Sequence, residues 1–501
     1  MNKSIWGKIE TNSNTTNKNI ETDILIIGGG ITGMTSLLYL LPKNKKTILI
    51  EANKVGNGIT NKTTGKINIM QEYNYQKIEN ITNNKTALKY LESQIYATNE
   101  IKKIINKYNI NCDLEKNDSY LFTNQKEKIN NILKEKEILE KKIKIKTINK
   151  LPNNYPCIFG IKTESYVFNP LKYINKIKNI CKNNICENTR AITITKKLDY
   201  YLIKTNKNKI KAKTILICTH YPFINKLFIP FKTTIEKEYI ISAHTNNPYN
   251  INMISNDDEI ISIRYYKDNI IYTSNNSKLS KKLDHKKNIN ETIKNFKNHF
   301  NYPINNTWYN CDIISNDYMP IIGKIKNENI LIATAFNKWG MTNGILAAKI
   351  MTDIINNKEN EFINLFDPYR KTNIKKIINN IKYNYNNIKA YIKPKKQYNI
   401  KHIKENGIEY AIYIDNNNKE HKIINKCPHM KCKLIFNELD KTWDCPCHGS
   451  RYTIDGKIIK GPSTYSIIIK RTRKWYEPRF LDIEARFFGG KNNIWKIYKC
   501  L

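Results

Sequence analysis

The apolar positions of this chain change pattern along its length. Residues 23–30 read Asp-Ile-Leu-Ile-Ile-Gly-Gly-Gly, a short continuous apolar run ended by glycines, as in a strand buried on both faces. Met34-Thr-Ser-Leu-Leu-Tyr-Leu-Leu41 predicts a helix that Pro42 ends, and Thr47-Ile-Leu-Ile50 predicts the next strand. A further helix is predicted from Gly344 to Asn356, after a strand at Ile270–Ser277. From about 400 to 470 the pattern turns to short strands and turns. A Lys/Asn-rich stretch between Tyr369 and Tyr398 separates the two regimes. The expected organisation is therefore residues 1–370 as one large α/β domain, 371–398 as a linker, 399–470 as a small all-β domain and 471–501 as a tail of no assigned role. A length of 501 residues suits this, at ~150 residues per domain with an interleaved first part. No internal repeat is visible.

The all-β segment carries the most specific chemistry. Cys427-Pro428-His429 is followed, after fifteen intervening residues, by Cys445-Pro446-Cys447-His448-Gly449-Ser450. Two thiolates and two imidazoles arrive as two Cys/His pairs on two loops. A Rieske-type [2Fe–2S] centre uses that set, with Cys427 and Cys445 on one iron and His429 and His448 on the other. Exchanging two thiolates for neutral imidazoles raises the potential, to roughly −150 to +300 mV. A structural zinc site takes Cys₂His₂ as well, though zinc modules usually pair CxxC with HxxxH. The segment resembles the Rieske proteins of respiratory cytochrome bc complexes. That resemblance implies a disulfide between Cys432 and Cys447. It also implies hydrogen bonds from Ser450 and Tyr452 to cluster sulfur, and a covering loop at Gly461-Pro462-Ser463. Lys431 stands where that family usually has glycine; if the position needs φ > 0, lysine strains it.

At the other end, Gly28-x-Gly30-x-x-Gly33 sits between the predicted strand and helix, and Glu51 follows Gly33 by eighteen residues. In a βαβ unit this is the dinucleotide fingerprint. The glycines admit a pyrophosphate to the backbone, the helix N-terminus favours its charge, and the acid accepts from ribose hydroxyls. The segment Gly58–Lys66 resembles that of D-amino-acid-oxidase-like flavoproteins, which include glycine and sarcosine oxidases. Cys218–Phe223, Asp317–Gly323 and Ala333–Gly344 carry the same resemblance. With the fused Rieske segment, the order of parts is similar to one subgroup of FAD-dependent oxidoreductases. The resemblance implies a Rossmann-like FAD domain with an interleaved α+β substrate domain. It assigns FAD contacts to Gly28, Gly30, Gly33, Glu51, Thr63, Thr64, Lys66, Trp339, Gly340, Met341 and Thr342. Ala335 stands where the second flavin loop usually has glycine. Arg264 and Tyr266 are the candidates for meeting a substrate carboxylate, and His220 reads as a structural histidine on the nucleotide side.

A formal charge of +40, from 84 Lys+Arg against 44 Asp+Glu, invites a nucleic-acid reading. The basic residues are overwhelmingly Lys, spread along the chain with abundant Asn and Ile, so no specific nucleic-acid site is expected. The charge favours anionic partners, such as an acidic redox protein or a membrane surface. The N-terminal residues show no apolar export signal and no segment reads as a membrane anchor, which points to the cytoplasm. The expected function is an oxidoreductase carrying electrons from a small-molecule substrate, an amine or amino acid by family analogy, through FAD to the cluster. An external one-electron acceptor would follow, with His429 and His448 expected at the exposed end of the cluster. Two alternatives are an electron-transfer module with no substrate of its own, and a polyanion-binding protein with structural zinc.

Overall fold

Because its flanking strands bond to both edges, the run that begins the glycine turn lies in the middle of a sheet. In the computed structural model, which describes residues 4–7, 16–42, 45–224, 226–278, 284–371 and 399–469, strand Ile20–Ile27 pairs in parallel with Thr47–Ile50 and with Lys209–Ile217. Parallel pairing extends to Ile330–Thr334 and Ile185–Cys186 at the two ends. Helices cover the Ile26 face of the central strand and strands and loops such as Ile203, Tyr221 and Ile313 cover the Leu25 face, so both residues are fully buried, which explains the uninterrupted apolar run. The helix spans Ile31–Leu40, beginning three residues before the predicted start and ending one before the predicted end. It packs on Gly340–Ile355, which begins four residues earlier than predicted, with Trp339 at its N-cap.

A second, mostly antiparallel sheet contains the long pair Thr233–His244 and Ile304–Ser315, and Asn269–Lys278 flanks the first of these. Alternation on Thr233–His244 places Glu236 and Glu238 on one face and Lys237 and Tyr239 on the other. This second sheet is the interleaved α+β half that the resemblance implied.

After residue 398 the chain forms two small antiparallel sheets, Ile400–Glu405/Ile408–Ile414/Glu420–Ile424 and Ile435–Asn437/Thr442–Asp444/Arg451–Thr453/Ile458–Lys460. Trp443, Tyr452, Phe436 and Tyr413 fill a core between them, and Cys427 and Cys445 are part of that core. The Cys/His loops thus stand on rigid strands. The expected linker lies almost wholly outside the described residues, as does the tail from 471 onward. Among the described residues, no helix is long and apolar enough to cross a membrane.

Candidate functional site

The glycine turn owes its shape to two backbone approaches. Gly28 has φ +112°, and a Cβ there would lie 2.5 Å from the Cys218 carbonyl oxygen. A Cβ on Gly33 would lie 1.9 Å from the Gly28 carbonyl oxygen. Gly30 precedes the helix with extended backbone and has no side chain of its own to cap it, as a helix N-terminus that receives an anion requires. The Glu51 carboxylate accepts from Gly29 N at 2.8 Å and Asn53 N at 2.9 Å. Burial raises its pKa, and those two hydrogen bonds oppose the rise. Each oxygen keeps a free lone pair, as a ribose contact needs. The local pattern did not reveal Thr60, which accepts from Ile31 N at 3.0 Å, or Glu187, which holds Val55 N at 2.8 Å. Both lie beyond the fingerprint, and neither carries a spacing signal.

Thr63, Thr64 and Lys66 come to the seam between the two sheets. Trp6 Nε1 donates to the Thr63 carbonyl at 2.8 Å. Lys66 is buried and donates to Ser262 Oγ at 2.5 Å, and burial lowers its ammonium to about 7. Trp339, Gly340, Met341 and Thr342 form the first turn of the long helix, with Thr342 Oγ1 donating to the Trp339 carbonyl. Ala335, just before it, has φ +58°. The His220 carbonyl accepts from Thr334 Oγ1 at 2.5 Å, and burial depresses the imidazole to about 3.

Arg264 is in a different position from the one a substrate contact requires. It is 1 % exposed and donates to the carbonyls of Thr64, at 2.5 Å, and Phe168, at 3.1 Å. Trp6 and Tyr266 stack against its guanidinium. Tyr266 in turn donates to Asp113 at 2.6 Å. This pair braces the Thr64 segment from behind. The strand pattern could not tell which of two faces Arg264 takes.

At the Cys/His loops, the Cys427 sulfur and the Tyr452 hydroxyl are 3.3 Å apart. A hydrogen bond from Cys445, then one from Tyr452, draw the Cys427 thiol down to about 6, while Cys445 rises because it keeps the shared proton. Burial holds both imidazoles neutral, His429 falling to about 4. Their ring centroids are 4.9 Å apart. Both ring nitrogens of His429 and Nδ1 of His448 are buried without a hydrogen-bond partner. Buried donors and acceptors are almost always satisfied, so two neighbouring imidazoles with orphaned nitrogens, on the same two loops as Cys427 and Cys445, fit a metal centre. Cys432 and Cys447 form a disulfide, and both sulfurs lie within 4.8 Å of Cys445 Sγ. Ser450 Oγ accepts from Ser463 N at 2.9 Å, tying the covering loop to the second ligand loop.

Lys431 has φ +61°, so lysine occupies a left-handed position, as Ala335 does. Strain there costs roughly 1–2 kcal/mol, more than the roughly 0.5–1 kcal/mol of extra chain entropy a glycine loses on folding. Lys431→Gly is expected to raise the thermal midpoint by about 2 °C, read by calorimetry; a lower midpoint would refute the strain.

One expectation is corrected. His429 and His448 are 7 % and 8 % exposed, and the end they occupy faces inward. Both rings pack on Tyr221, at 6.0 and 5.2 Å between centroids. Tyr221 belongs to the loop whose Cys218 carbonyl abuts Gly28. The Rieske-like strands are further fixed to the first lobe by Asn53 and Arg190, which donate to the Ile459 carbonyl at 3.3 and 3.0 Å. Tyr309 adds a hydroxyl 3.1 Å from Asp440.

The family profile described as FAD dependent oxidoreductase (DAO) matches residues 23–354, and that of the Rieske [2Fe-2S] domain matches residues 389–472. A Bacillus subtilis (strain 168) protein, named as a Rieske 2Fe-2S iron-sulfur protein, is 28% identical over 477 residues, covering 88% of this chain and 92% of its own. Cytochrome b6-f complex iron-sulfur subunit 3 of Nostoc sp. (strain PCC 7120) is 44% identical over 41 residues, 8% of this chain and 23% of that subunit. Among solved structures, glycine oxidase from Geobacillus kaustophilus superposes with a TM-score of 0.60 at 11% identity, covering 71% of this chain and 100% of that one. L-proline dehydrogenase from P. horikoshii gives 0.56 at 17% identity, over 70% and 98%. At these identities the structural likeness is one of fold.

Proposed function

Since this chain belongs to the DAO family of FAD-dependent oxidoreductases and carries a Rieske [2Fe–2S] domain behind that fold, we propose that it oxidises a small organic amine at FAD and passes the electrons to the cluster of the same chain. FAD supplies two-electron acceptance as a hydride and release one electron at a time, and the cluster takes single electrons. Cys427, Cys445, His429 and His448 would hold the iron. The glycine turn, Glu51 and the segments around Thr63–Lys66 and Trp339–Thr342 would hold the flavin.

The observation that supports this best is the inward-facing histidine edge. Imidazole ligands sealed against Tyr221 suit an electron donor inside the protein better than one that must dock from solvent. A pure electron-transfer module would have no use for the polar face opposite. There Glu236, Glu238 and Asp312 lie near Lys338, which bonds Glu236 at 3.2 Å. Asp312 is buried, and its carboxyl is pushed up to about 7 by burial and then by Glu238. Lys338 directly precedes the second flavin segment, so this acidic face borders the flavin side. With Arg264 committed to backbone carbonyls, an amine fits the face better than an amino-acid carboxylate does.

The test is anaerobic. Flavin reduced by photochemistry, or by a screened amine, should be reoxidised as a Rieske EPR signal grows, in single-turnover mixing. A flavin that stays reduced beside an oxidised cluster would overturn the internal transfer. A full set of amines and amino acids that leaves the flavin oxidised would favour the module reading.

A further inference from the structure

The flavin lobe sends one buried cation into the cluster lobe. Lys237 is 3 % exposed and shares a face of Thr233–His244 with Tyr239. Tyr309 pairs with Tyr239 on the neighbouring strand, and its hydroxyl donates to Asp440 beside the cluster loops. The Lys237 ammonium donates to His285 Nε2 at 3.1 Å and lies 5.1 Å from the centre of the Tyr309 ring. Both partners are uncharged, the imidazole because burial and then Lys237 hold it down to about 3. Among the described residues, the carboxylate within ion-pair range of Lys237 is Asp444, at 3.8 Å, which is charge contact and not a hydrogen bond. Asp444 is already held by Arg451 Nε at 2.8 Å, Thr442 Oγ1 at 2.9 Å and Asn437 Nδ2 at 3.2 Å. Lys237 is therefore not what fixes that carboxylate. Taking an ammonium out of water is costly, and an apolar side chain of similar length would fill the same space without that cost.

The charge has a use in what lies next to it. Asp444 directly precedes Cys445, and Lys237 and Cys445 border the same small opening between the lobes. A centre with two thiolates and two neutral imidazoles is uncharged when oxidised and singly negative when reduced. Cys427 and Cys445 are buried, so the added charge would arise where water cannot answer it. We propose that Lys237 is a positioning residue for electron transfer: carried by the flavin lobe to the Cys445 loop, its ammonium raises the potential of the docked cluster. Lys237 touches neither cofactor. It acts through the field it places beside the ligand loop, so the driving force for transfer from flavin to cluster depends on the two lobes being docked. This rests on the iron assignment above and is independent of the amine.

The test is a redox titration of the complete holoprotein, followed by the EPR signal of the reduced cluster. It is run at about pH 8, where an imidazole such as His285 stays neutral even without its cationic neighbour. Lys237→Met keeps the length and removes the charge. It should lower the midpoint potential by roughly tenfold in the reduction equilibrium, ~59 mV for one electron. Lys237→Arg keeps the charge and should keep the wild-type potential. Lys287→Met removes an exposed lysine from the helix that carries His285, and should change nothing because solvent screens that charge. Added salt should leave the gap between wild type and Lys237→Met in place, since a buried charge is screened little. Iron content and flavin absorbance show that each variant is folded and loaded. If Lys237→Met loses iron, Lys237→Gln, which keeps a donor in the buried space, carries the same expectation. A potential that moves by less than about twofold in the neutral variants, or falls equally in Lys237→Arg, would overturn the proposal and leave Lys237 a packing residue. A wild type with no rhombic signal would overturn the iron assignment itself, and the proposal with it.

Discussion

His448→Ala is expected to give a yellow protein with no Rieske EPR signal and with iron content near zero. Four side chains from two loops would hold this centre, so each carries a quarter of its protein ligation. Cys432 and Cys447 lie within 4.8 Å of Cys445, and their sulfurs are already joined. The alanine leaves one iron with a single protein ligand in a buried space. Even changes behind a ligand cost roughly 10–100-fold in metal affinity, so loss of a ligand itself should empty the site. The flavin should stay, because His448 touches the first lobe through Tyr221 and not through the glycine turn. Photoreduced flavin in the variant should then pass no electrons to a one-electron dye at the wild-type rate. Iron, sulfide and EPR are measured on protein purified without oxygen. A persistent rhombic signal would exclude His448 as a ligand, and a full equivalent of zinc without iron would return the site to a structural metal.

The chemistry was legible where it is local in the chain. The glycine turn, Glu51 and the two Cys/His pairs each lie within a short segment whose spacing carries a physical requirement, and the structure brings each set together. The two positions where a side chain replaces an expected glycine were legible too, since Ala335 and Lys431 both take positive φ. What was not legible joins distant segments. Tyr221 meets His429 and His448 across more than two hundred residues, and nothing near Tyr221 signals a metal edge. Hence the imidazoles were expected to face solvent. Arg264 failed for a related reason: a strand fixes that alternate residues face opposite ways, but not which neighbour each face receives.

Gly33→Ala should remove FAD almost completely while leaving the iron centre in place. The added methyl would sit 1.9 Å from the Gly28 carbonyl oxygen, less than any real contact, and its next neighbour is Ile26 at 3.3 Å. No flexible side chain can yield, because the obstacle is the backbone of the turn itself. Either the helix Ile31–Leu40 moves off the sheet, or Gly28 swings away from its place. Gly28 has no room for the second course, since it is already packed against the Cys218 carbonyl. Moving the helix parts Leu37 and Met34 from a core in which both are fully buried, and each such side chain contributes roughly 1.5–3 kcal/mol. It also displaces the open helix N-terminus that would face the pyrophosphate. Flavin absorbance per chain is the readout, with Rieske EPR on the same sample to show that the chain still folds. A variant holding stoichiometric FAD would mean that the turn is looser than these contacts allow. A variant lacking both FAD and cluster would show that the first lobe must fold before the second can dock on Tyr221.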